Sequence, residues 1–483
     1  MITKNFIRNS IIYTIAGSLP MASAVILLPF YLHYLPVEEY GAMAVYTTFS
    51  MLVQVLITYS FDTSVYIHYH DYKNEHAKLS QFISSAFVLM AIISVIVSLF
   101  AVGGGSLLFD KLLDNKSVSF YPYGLLSVAT SIFQSFFKVN SSLLQTQQKP
   151  TLYLWSNLLS FSLIAAFTIG GLIFFPNTLI GPIGGRMLAA MISGVWALMR
   201  IFKEFGVHFN FPLLKESFAF NNSSFIYQVQ QWLINNFDRF VITYYLTLKD
   251  VGAYDFAFKC MLLIDPIMSG LYNSFYPKVI GLLKEQPAEV KESTGPINRY
   301  FHGYIAITMI LVAISIFFFP VLIDTGIIRS GYADSWKYIP YIGILYLIRS
   351  IRTYFAFPYG PLKIVYVWPY LIIAIIKIAL MISLIRILDV YAVIFSAAIS
   401  AVLEIIFLRV AIKDRVMFRF NSLKIIIAPV VLIVFIFVLE PTVNINQYLR
   451  HGLFVVLTLA VLWTLYGKEV KALSPFDFLK RKI

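Results

Sequence analysis

Runs of about twenty consecutive apolar residues recur from one end of this 483-residue chain to the other. A run of that length, coiled as an α-helix, crosses the roughly 30 Å hydrocarbon core of a bilayer. In hydrocarbon every backbone amide needs a partner within the protein, so only helices and closed barrels span it, and the period-two alternation of a barrel does not occur. Only 13% of the residues are charged, against about a quarter in soluble proteins. The sequence therefore predicts an all-α polytopic membrane protein.

The apolar runs define about fourteen candidate transmembrane helices. Their approximate positions are 9–33, 43–66, 80–102, 121–145, 151–175, 179–201, 222–245, 252–277, 300–323, 338–358, 366–388, 391–412, 423–440 and 450–466. The first run follows Lys4 and Arg8, as the apolar part of a secretory signal peptide would. It continues to about Tyr34, which is too long for a signal peptide, so we expect a retained helix.

The basic residues are distributed unevenly between the two sides of these spans. With the N-terminus in the cytoplasm, cytoplasmic segments carry about three times as many Lys and Arg residues as external segments, which sets the orientation by the positive-inside rule. The basic stretch at 413–424 and the tail at 480–482 then both lie inside, and we expect both termini to be cytoplasmic. The net charge of +13 reflects this topology, because the chain has no soluble basic domain that would bind nucleic acid.

A short motif occurs twice, as YLPVEEYGA at 34–42 and as YLTLKDVGA at 245–253, with a constant offset of 211 residues. Both copies fall at external turns. Six spans separate them, so both halves enter the membrane in the same direction. The repeat predicts two pseudo-symmetric six-helix lobes with a pathway between them. We place the lobes at 1–205 and 206–415, followed at 416–483 by two extra helices and a basic cytoplasmic tail.

Several kinds of chemistry are missing from the sequence. No phosphate-binding loop of the form G-x-x-x-x-G-K-[ST] occurs, and the single cysteine, Cys260, lies in an apolar span. His68, His70 and His76 stand near Asp71 without the spacing of a known metal site. The predicted external loops are all short. These features are typical of a conduit and not of an enzyme, and we expect neither a cofactor nor a metal.

Basic residues at membrane depth are the informative ones, because each costs about 2.5–3.5 kcal/mol if it faces lipid. Arg409 is close enough to a cytoplasmic helix end to snorkel. Seven others must snorkel, as Lys138 could in part, pair with acids or line a wet cavity: Lys138, Arg186, Arg239, Lys259, Arg349, Arg352 and Lys377. Asp255 and Lys259 are spaced i,i+4, and Asp238 could reach Lys259 across the hairpin, which favours a structural cluster with Arg239.

Arg349 and Arg352 lie three residues apart on one face near the middle of a span that contains no acidic residue. Arg186 also lacks a local partner, in the segment GPIGGRM, whose small residues allow close helix packing. Unpaired cations that face a central cavity suit an anionic substrate, because guanidinium groups bind phosphate oxygens bidentately. Pairing of Arg349 and Arg352 with acids elsewhere in the fold stays open. Lys377 is expected at the depth of Glu404, where an ion pair and a transport role are both open.

Three segments resemble the polysaccharide flippases, the exporters of lipid-linked oligosaccharides in the multidrug/oligosaccharidyl-lipid/polysaccharide (MOP) superfamily. They are Asn9 with the span after it, LLPFYLHYLPVEEYGAMAVY at 27–46, and WLINNFDRFVITYYLTLKDVGAYDFAFK at 232–259. The resemblance covers the first twelve spans, and its markers are Leu35, Gly41, Asp238, Arg239, Gly252, Tyr254, Lys259 and Pro277. Phe61 and His68 depart from the family pattern. A count of fourteen spans, against twelve in many O-antigen flippases, leaves an arrangement like that of the lipid II flippases open.

The resemblance implies a fold like that of the multidrug and toxin extruders. It also implies a flippase that moves undecaprenyl-pyrophosphate-linked oligosaccharide, as an O-antigen, capsule or exopolysaccharide repeat unit, across a bacterial inner or plasma membrane. The lobes would alternate access, aromatic side chains would stack on sugars, and the cations named above would contact the anionic lipid-linked substrate. Arg349, Arg352, Arg186 and Lys138 would neutralise its pyrophosphate. Membrane lipid and other polysaccharide-assembly proteins are the expected partners.

An ion gradient of H+ or Na+ is the expected energy source, because no nucleotide site is present. The acidic candidates for ion coupling are Asp62, Asp238, Asp255, Asp265 and Glu404. Two alternatives remain. A drug or cation antiporter on the same fold would offer buried carboxylates to a cationic compound. A membrane polymerase or ligase of lipid-linked glycans would need larger external segments than this chain has.

Overall fold

The computed structural model describes residues 26–113, 118–285, 295–326, 328–358, 367–412, 420–440 and 446–472, with three isolated residues at 17, 19 and 23. Its α-helices in chain order are α1 (Leu28–Tyr34), α2 (Val37–Thr58), α3 (Phe61–Tyr72), α4 (His76–Leu113), α5 (Tyr123–Thr146), α6 (Pro150–Phe174), α7 (Ile180–Phe205), α8 (Phe211–Asn236), α9 (Asp238–Tyr245), α10 (Leu248–Leu262), α11 (Ile264–Glu285), α12 (Gly295–Asp324), α13 (Ile339–Ala356), α14 (Val367–Leu388), α15 (Val390–Ile412), α16 (Ala428–Leu439) and α17 (Gln447–Ala472). A 3-10 helix covers Ser330–Lys337, and a π-helical turn covers Leu423–Ile427.

The prediction of an all-α polytopic membrane protein is confirmed. Within the described ranges, eight helical segments are long and apolar enough to cross a membrane. Each span predicted from residue 43 onward coincides with one helix or with a consecutive pair. Only the end of the first predicted span is described, as α1, and the basic residues at 413–419 and 480–482 lie outside the described residues.

Contacts between residues group the chain into two compact units, Met1–Asp255 and Phe256–Ile483. The boundary at 205 that the motif repeat predicts stays a prediction. In the first unit, α7 packs against α5 and α6. Gly171 and Gly181 allow the close approach of α6 and α7, because a Cβ atom added at either glycine would lie within 2.3 Å of a backbone oxygen of the other.

The two copies of the repeated motif contact each other within the first unit. A Cβ atom added at Gly41 would lie 2.1 Å from the carbonyl oxygen of Leu248, and one added at Gly252 would lie 2.2 Å from that of Val37. Leu248 and Gly252 stand at the offset of the repeat from Val37 and Gly41, so the contact is reciprocal. The glycine shared by the two copies of the motif therefore has a packing cause. Helices α2 and α10 cross so closely that neither crossing position has room for a side chain.

A break interrupts the long helical segment that runs from Val37 to Tyr72. Tyr59 and Ser60, which separate α2 from α3, have φ values of 43° and 60°, in the left-handed region that costs a non-glycine residue about 1–2 kcal/mol. The Tyr59 ring packs against Phe61, Phe218 and Phe225, and its hydroxyl donates a hydrogen bond to Asn222. Contacts with α8 therefore hold two strained residues in the middle of this segment.

In the second unit, α12 packs against α13 and α17, and α15 packs against α13 and α14. Aromatic side chains fill the junction of α12 and α13, where the Phe301 and Tyr354 rings meet edge to face at 5.1 Å. The Tyr354 hydroxyl donates to Asn298 at 2.9 Å. The second half of α13 carries Arg349 and Arg352, and α13 packs directly against α15.

Candidate functional site

Lys138 and Asp62 form an ion pair in the first unit. The Lys138 Nζ lies 3.0 Å from Asp62 Oδ2, and the two side chains are 39% and 13% exposed. Gln228 on α8 donates from Nε2 to Asp62 Oδ1 at 3.2 Å. Asp62 stands in the first turn of α3, immediately after the break at Tyr59 and Ser60, where the helix dipole favours a negative charge. Lys138, a predicted substrate-binding cation, is thus ion-paired with Asp62, a predicted ion-coupling acid.

Arg239 is the centre of a sealed cluster in the same unit. Its Nη1 lies 2.7 Å from Asp238 Oδ1 and its Nη2 lies 3.1 Å from Asp255 Oδ1. Tyr40 donates to Asp255 Oδ2 at 2.9 Å, and Tyr254 donates to Asp238 Oδ2 at 2.5 Å. All five residues are at most 4% exposed. The paired charges and the two tyrosine hydroxyls match the structural role that the sequence favours for this group, beside the crossing of α2 and α10.

Arg352 and Glu404 pair across α13 and α15 in the second unit. The Arg352 Nη2 lies 2.6 Å from Glu404 Oε1, and the side chains are 37% and 14% exposed. The partner for an arginine of α13 is therefore an acid from another helix, which is one of the two readings that the sequence leaves open. Lys377, which the sequence matches with Glu404 in depth, is buried on α14 with 3% of its surface exposed.

Arg349 lies one helical turn before Arg352. Its guanidinium stands 5.4 Å from the centroid of the Tyr346 ring and within electrostatic range of Asp265. The Tyr346 hydroxyl is 3.5 Å from Asp265 Oδ2, which is a long hydrogen bond. Two arginines on one face of α13 thus each have an acid nearby, Asp265 from α11 and Glu404 from α15.

Three tyrosine side chains form a cluster within electrostatic range of Arg352. The rings of Tyr272 and Tyr276 stack with centroids 4.8 Å apart, and Tyr304 lies 6.4 Å from Tyr272. Tyr272 and Tyr304 are both within electrostatic range of the Arg352 guanidinium. The group combines one exchangeable cation with ring faces and hydroxyl groups, which are the elements that bind a phosphate next to a sugar.

The remaining predicted residues lie apart from these pairs. Arg186 on α7 is half-buried and stands within electrostatic range of the Tyr31 hydroxyl. Close packing of its helix is as predicted, since a Cβ atom at Gly185 would lie 2.3 Å from the Phe167 carbonyl oxygen. Lys259 is half-buried on α10. These side chains and Lys377 stay candidates for contact with a substrate.

Two groups of polar residues were not singled out in the sequence. One is a buried cluster at the start of α17, where Arg450 and His451 lie 3.5 Å and 3.3 Å from Glu440. The signal for it was three ionisable residues, Glu440, Arg450 and His451, in the short sequence between two apolar runs. The other is a row of amide side chains on α8 that includes Gln228. The sequence signal for this row was the low hydropathy of the seventh predicted span, 222–245, which begins in α8. Accordingly, α8 is not among the eight strongly apolar segments of the described chain.

A family model described as polysaccharide biosynthesis protein matches residues 6–279. Among curated proteins, an uncharacterized membrane protein of Haemophilus influenzae is 24% identical over 296 residues, which are 60% of this chain and 68% of that protein.

Solved structures share the fold. The structure of the lipid II flippase MurJ in an inward closed conformation aligns with a TM-score of 0.68 and 13% identity, covering 95% of this chain and 100% of that one. An inward-facing multidrug resistance MATE family transporter of the MOP superfamily aligns with a TM-score of 0.61 and 12% identity, covering 82% and 95%. At these identities the likeness shows the fold.

Proposed function

The chain belongs to the family of polysaccharide biosynthesis proteins, and from this premise we propose that it is a flippase for lipid-linked glycans. Its substrate would be an undecaprenyl-pyrophosphate-linked oligosaccharide, moved from the inner to the outer leaflet of a bacterial plasma membrane. The observation that carries this proposal is the Arg352–Glu404 pair, which joins α13 to the strongly apolar α15, is partly exposed, and lies within electrostatic range of two tyrosines.

The pair suits a transient anionic ligand. Glu404 provides a resting partner for the Arg352 guanidinium when no substrate is bound. A pyrophosphate can replace the carboxylate, because both offer oxygens to the planar guanidinium fork. Arg349, one turn away on the same face, would contact the second phosphate. Exchange between two anionic partners keeps Arg352 paired in every state, so the substrate neither binds irreversibly nor leaves a bare charge behind.

The same exchange provides a route for ion coupling. When pyrophosphate takes Arg352, the Glu404 carboxylate loses its partner and becomes available to H+ or Na+. Asp265 beside Arg349 and Asp62 beside Lys138 would behave in the same way. Asp238 and Asp255 suit coupling less, because Arg239 and two tyrosines occupy their oxygens. Lys138 and Arg186 would act along the path as the predicted lobes alternate access.

A reconstituted assay tests this proposal. Proteoliposomes would contain a fluorescent undecaprenyl-pyrophosphate oligosaccharide, and quenching from outside would report how much of it changes leaflet. We expect protein-dependent translocation that Arg352→Gln reduces by about tenfold or more, since one charge-assisted contact contributes about 1.5–3 kcal/mol. Arg409→Gln is the matched control, because Arg409 is predicted to snorkel. Wild-type protein without translocation, with or without an ion gradient, would refute the flippase.

One observation favours a second candidate, an antiporter for cationic compounds. A carboxylate partner is present for each of three described cations, Lys138, Arg239 and Arg352. The sequence argues against cationic substrates because its spans hold more unpaired cations than anions. These ion pairs make that excess of positive charge smaller than the sequence suggests. Displacement of Lys138 or Arg352 by a drug cation would use the same acids. Gradient-dependent efflux of a fluorescent cationic dye, abolished by Glu404→Gln, would identify that activity.

A further inference from the structure

One face of α8 carries a row of neutral polar side chains. Asn221, Ser224, Gln228, Gln231 and Asn235 follow one another at spacings of three and four residues, so they share a face of the helix. We call this row the polar stripe. It extends over about 21 Å of helix, roughly two thirds of the hydrocarbon thickness. The group as a whole is too polar to face lipid.

Contacts fix the direction in which the polar stripe faces. Gln228 donates to Asp62, which is paired with Lys138, and the Tyr59 hydroxyl donates to Asn222 beside the stripe. Trp232, at the level of Gln231, donates from Nε1 to the Thr48 carbonyl oxygen at 3.1 Å. The stripe therefore runs along the segment formed by α2 and α3 and passes the strained break at its middle.

Several polar atoms at this junction are buried without a partner. Asn221 is fully buried, and within the part of the chain that the structure describes, neither its Nδ2 nor its Oδ1 makes a hydrogen bond. The Oε1 atom of Gln228 and, on the α3 side, the hydroxyls of Ser60 and Ser64 are in the same position. Folded proteins keep few such atoms, because each forfeits the hydrogen bonds that it made to water in the unfolded chain. A cluster of them calls for a ligand that supplies both donors and acceptors.

The chemistry of the stripe selects a neutral, hydroxyl-rich ligand. A carboxamide offers two donor hydrogens and an acceptor oxygen without charge, which matches a sugar ring, whose hydroxyls both donate and accept. A phosphate accepts hydrogen bonds, so it would pair with the N–H donors of a carboxamide but not with its oxygen. We propose that the polar stripe is the sugar-binding track of the transport path, with Asn221 and Gln228 as its principal contacts. This inference rests on the proposed function, and it separates sugar recognition on α8 from pyrophosphate recognition on α13.

Asn221→Leu provides the sharpest test, because Leu has the same branched shape and number of side-chain heavy atoms, and Asn221 has no hydrogen bond within the described chain to lose. We expect this variant to raise the melting temperature of the detergent-purified protein, since an apolar group replaces an unsatisfied polar one. We also expect translocation of undecaprenyl-pyrophosphate tetrasaccharide to fall about fivefold to tenfold. Protection of the protein by inorganic pyrophosphate against thermal unfolding should not change. Ser223→Ala, on the next face of α8, should alter none of the three.

Each outcome decides the matter. Higher stability with reduced tetrasaccharide transport supports the sugar track, whereas a structural role would lower stability and transport together and would overturn it. Wild-type transport by Asn221→Leu would overturn it as well. Wild-type protein that moves no lipid-linked glycan would instead refute the flippase, so the two failures are distinguishable. Gln228→Met should reproduce the transport defect, with a smaller gain in stability because the bond to Asp62 is lost.

Discussion

Arg239 in the first unit and Arg352 in the second have the same kinds of neighbours, carboxylates and tyrosines, but their exposure differs. The Arg239 side chain is 5% exposed and its two carboxylate partners are 3% and 5% exposed. The Arg352 side chain is 37% exposed, and Glu404, its carboxylate partner among the described residues, is itself 14% exposed. In the first arrangement, the charged groups of Arg239, Asp238 and Asp255 all bond to protein groups. The second leaves part of its guanidinium exposed.

The difference shows how a membrane protein can use one ion pair for structure and another for exchange. A fully desolvated pair is stable only while it is complete, because removal of one partner leaves an uncompensated charge in a medium of low dielectric. A partly solvated pair contributes little to stability, so its partners can separate at small cost. We infer that the Arg239 cluster holds the crossing of α2 and α10, whereas the partly exposed pair of Arg352 and Glu404 can open to admit a ligand.

Arg239→Met should produce the largest effect. Asp238 and Asp255 would remain buried without a counter-charge, and we expect the free energy of unfolding to fall by about 3–5 kcal/mol. Thermal unfolding of the purified protein in detergent measures the loss. Arg352→Met is the matched variant, and we expect it to cost less than about 1 kcal/mol. Similar losses in the two variants would show that both pairs are structural and would end the comparison.

Gly41→Ala should produce an intermediate effect at the same crossing. A methyl group there would lie 2.1 Å from the Leu248 carbonyl oxygen, so α2 and α10 would have to separate. We expect a loss of about 1–3 kcal/mol, typical of overpacking, and the same for Gly252→Ala because the contact is reciprocal. Gly103→Ala is the control, since no atom lies within 4 Å of the added methyl group, and it should stabilise α4 by about 0.5–1 kcal/mol. Equal effects at Gly41 and Gly103 would contradict the tight crossing.

Features with a local signal were predictable from the sequence. Hydropathy alone located the helices, and the repeated YL…GA turns pointed to two equivalent positions, although their direct contact depends on the tertiary fold. Asp238, Arg239 and Asp255 are joined by a short hairpin, so their cluster could be anticipated. Arg352 and Glu404 are separated by a whole helix and share only their expected depth, which could not fix the pairing. The helix break at Tyr59 and Ser60 could not be predicted, since neither residue is a glycine or a proline. Packing against α8, a tertiary contact, imposes this break.

Glu404→Gln should produce the smallest effect on stability and sharpen the comparison. It removes the resting negative charge beside Arg352 and costs about 1 kcal/mol or less, because the pair is partly solvated. Pyrophosphate then no longer has to displace the Glu404 carboxylate, so we expect inorganic pyrophosphate to bind up to about tenfold more tightly, measured as ligand protection against thermal unfolding. Asp255→Asn in the sealed cluster should destabilise the protein without this gain, because no ligand can reach Arg239. A gain in affinity from Asp255→Asn, or none from Glu404→Gln, would reverse the assignment of the structural and the exchangeable pair.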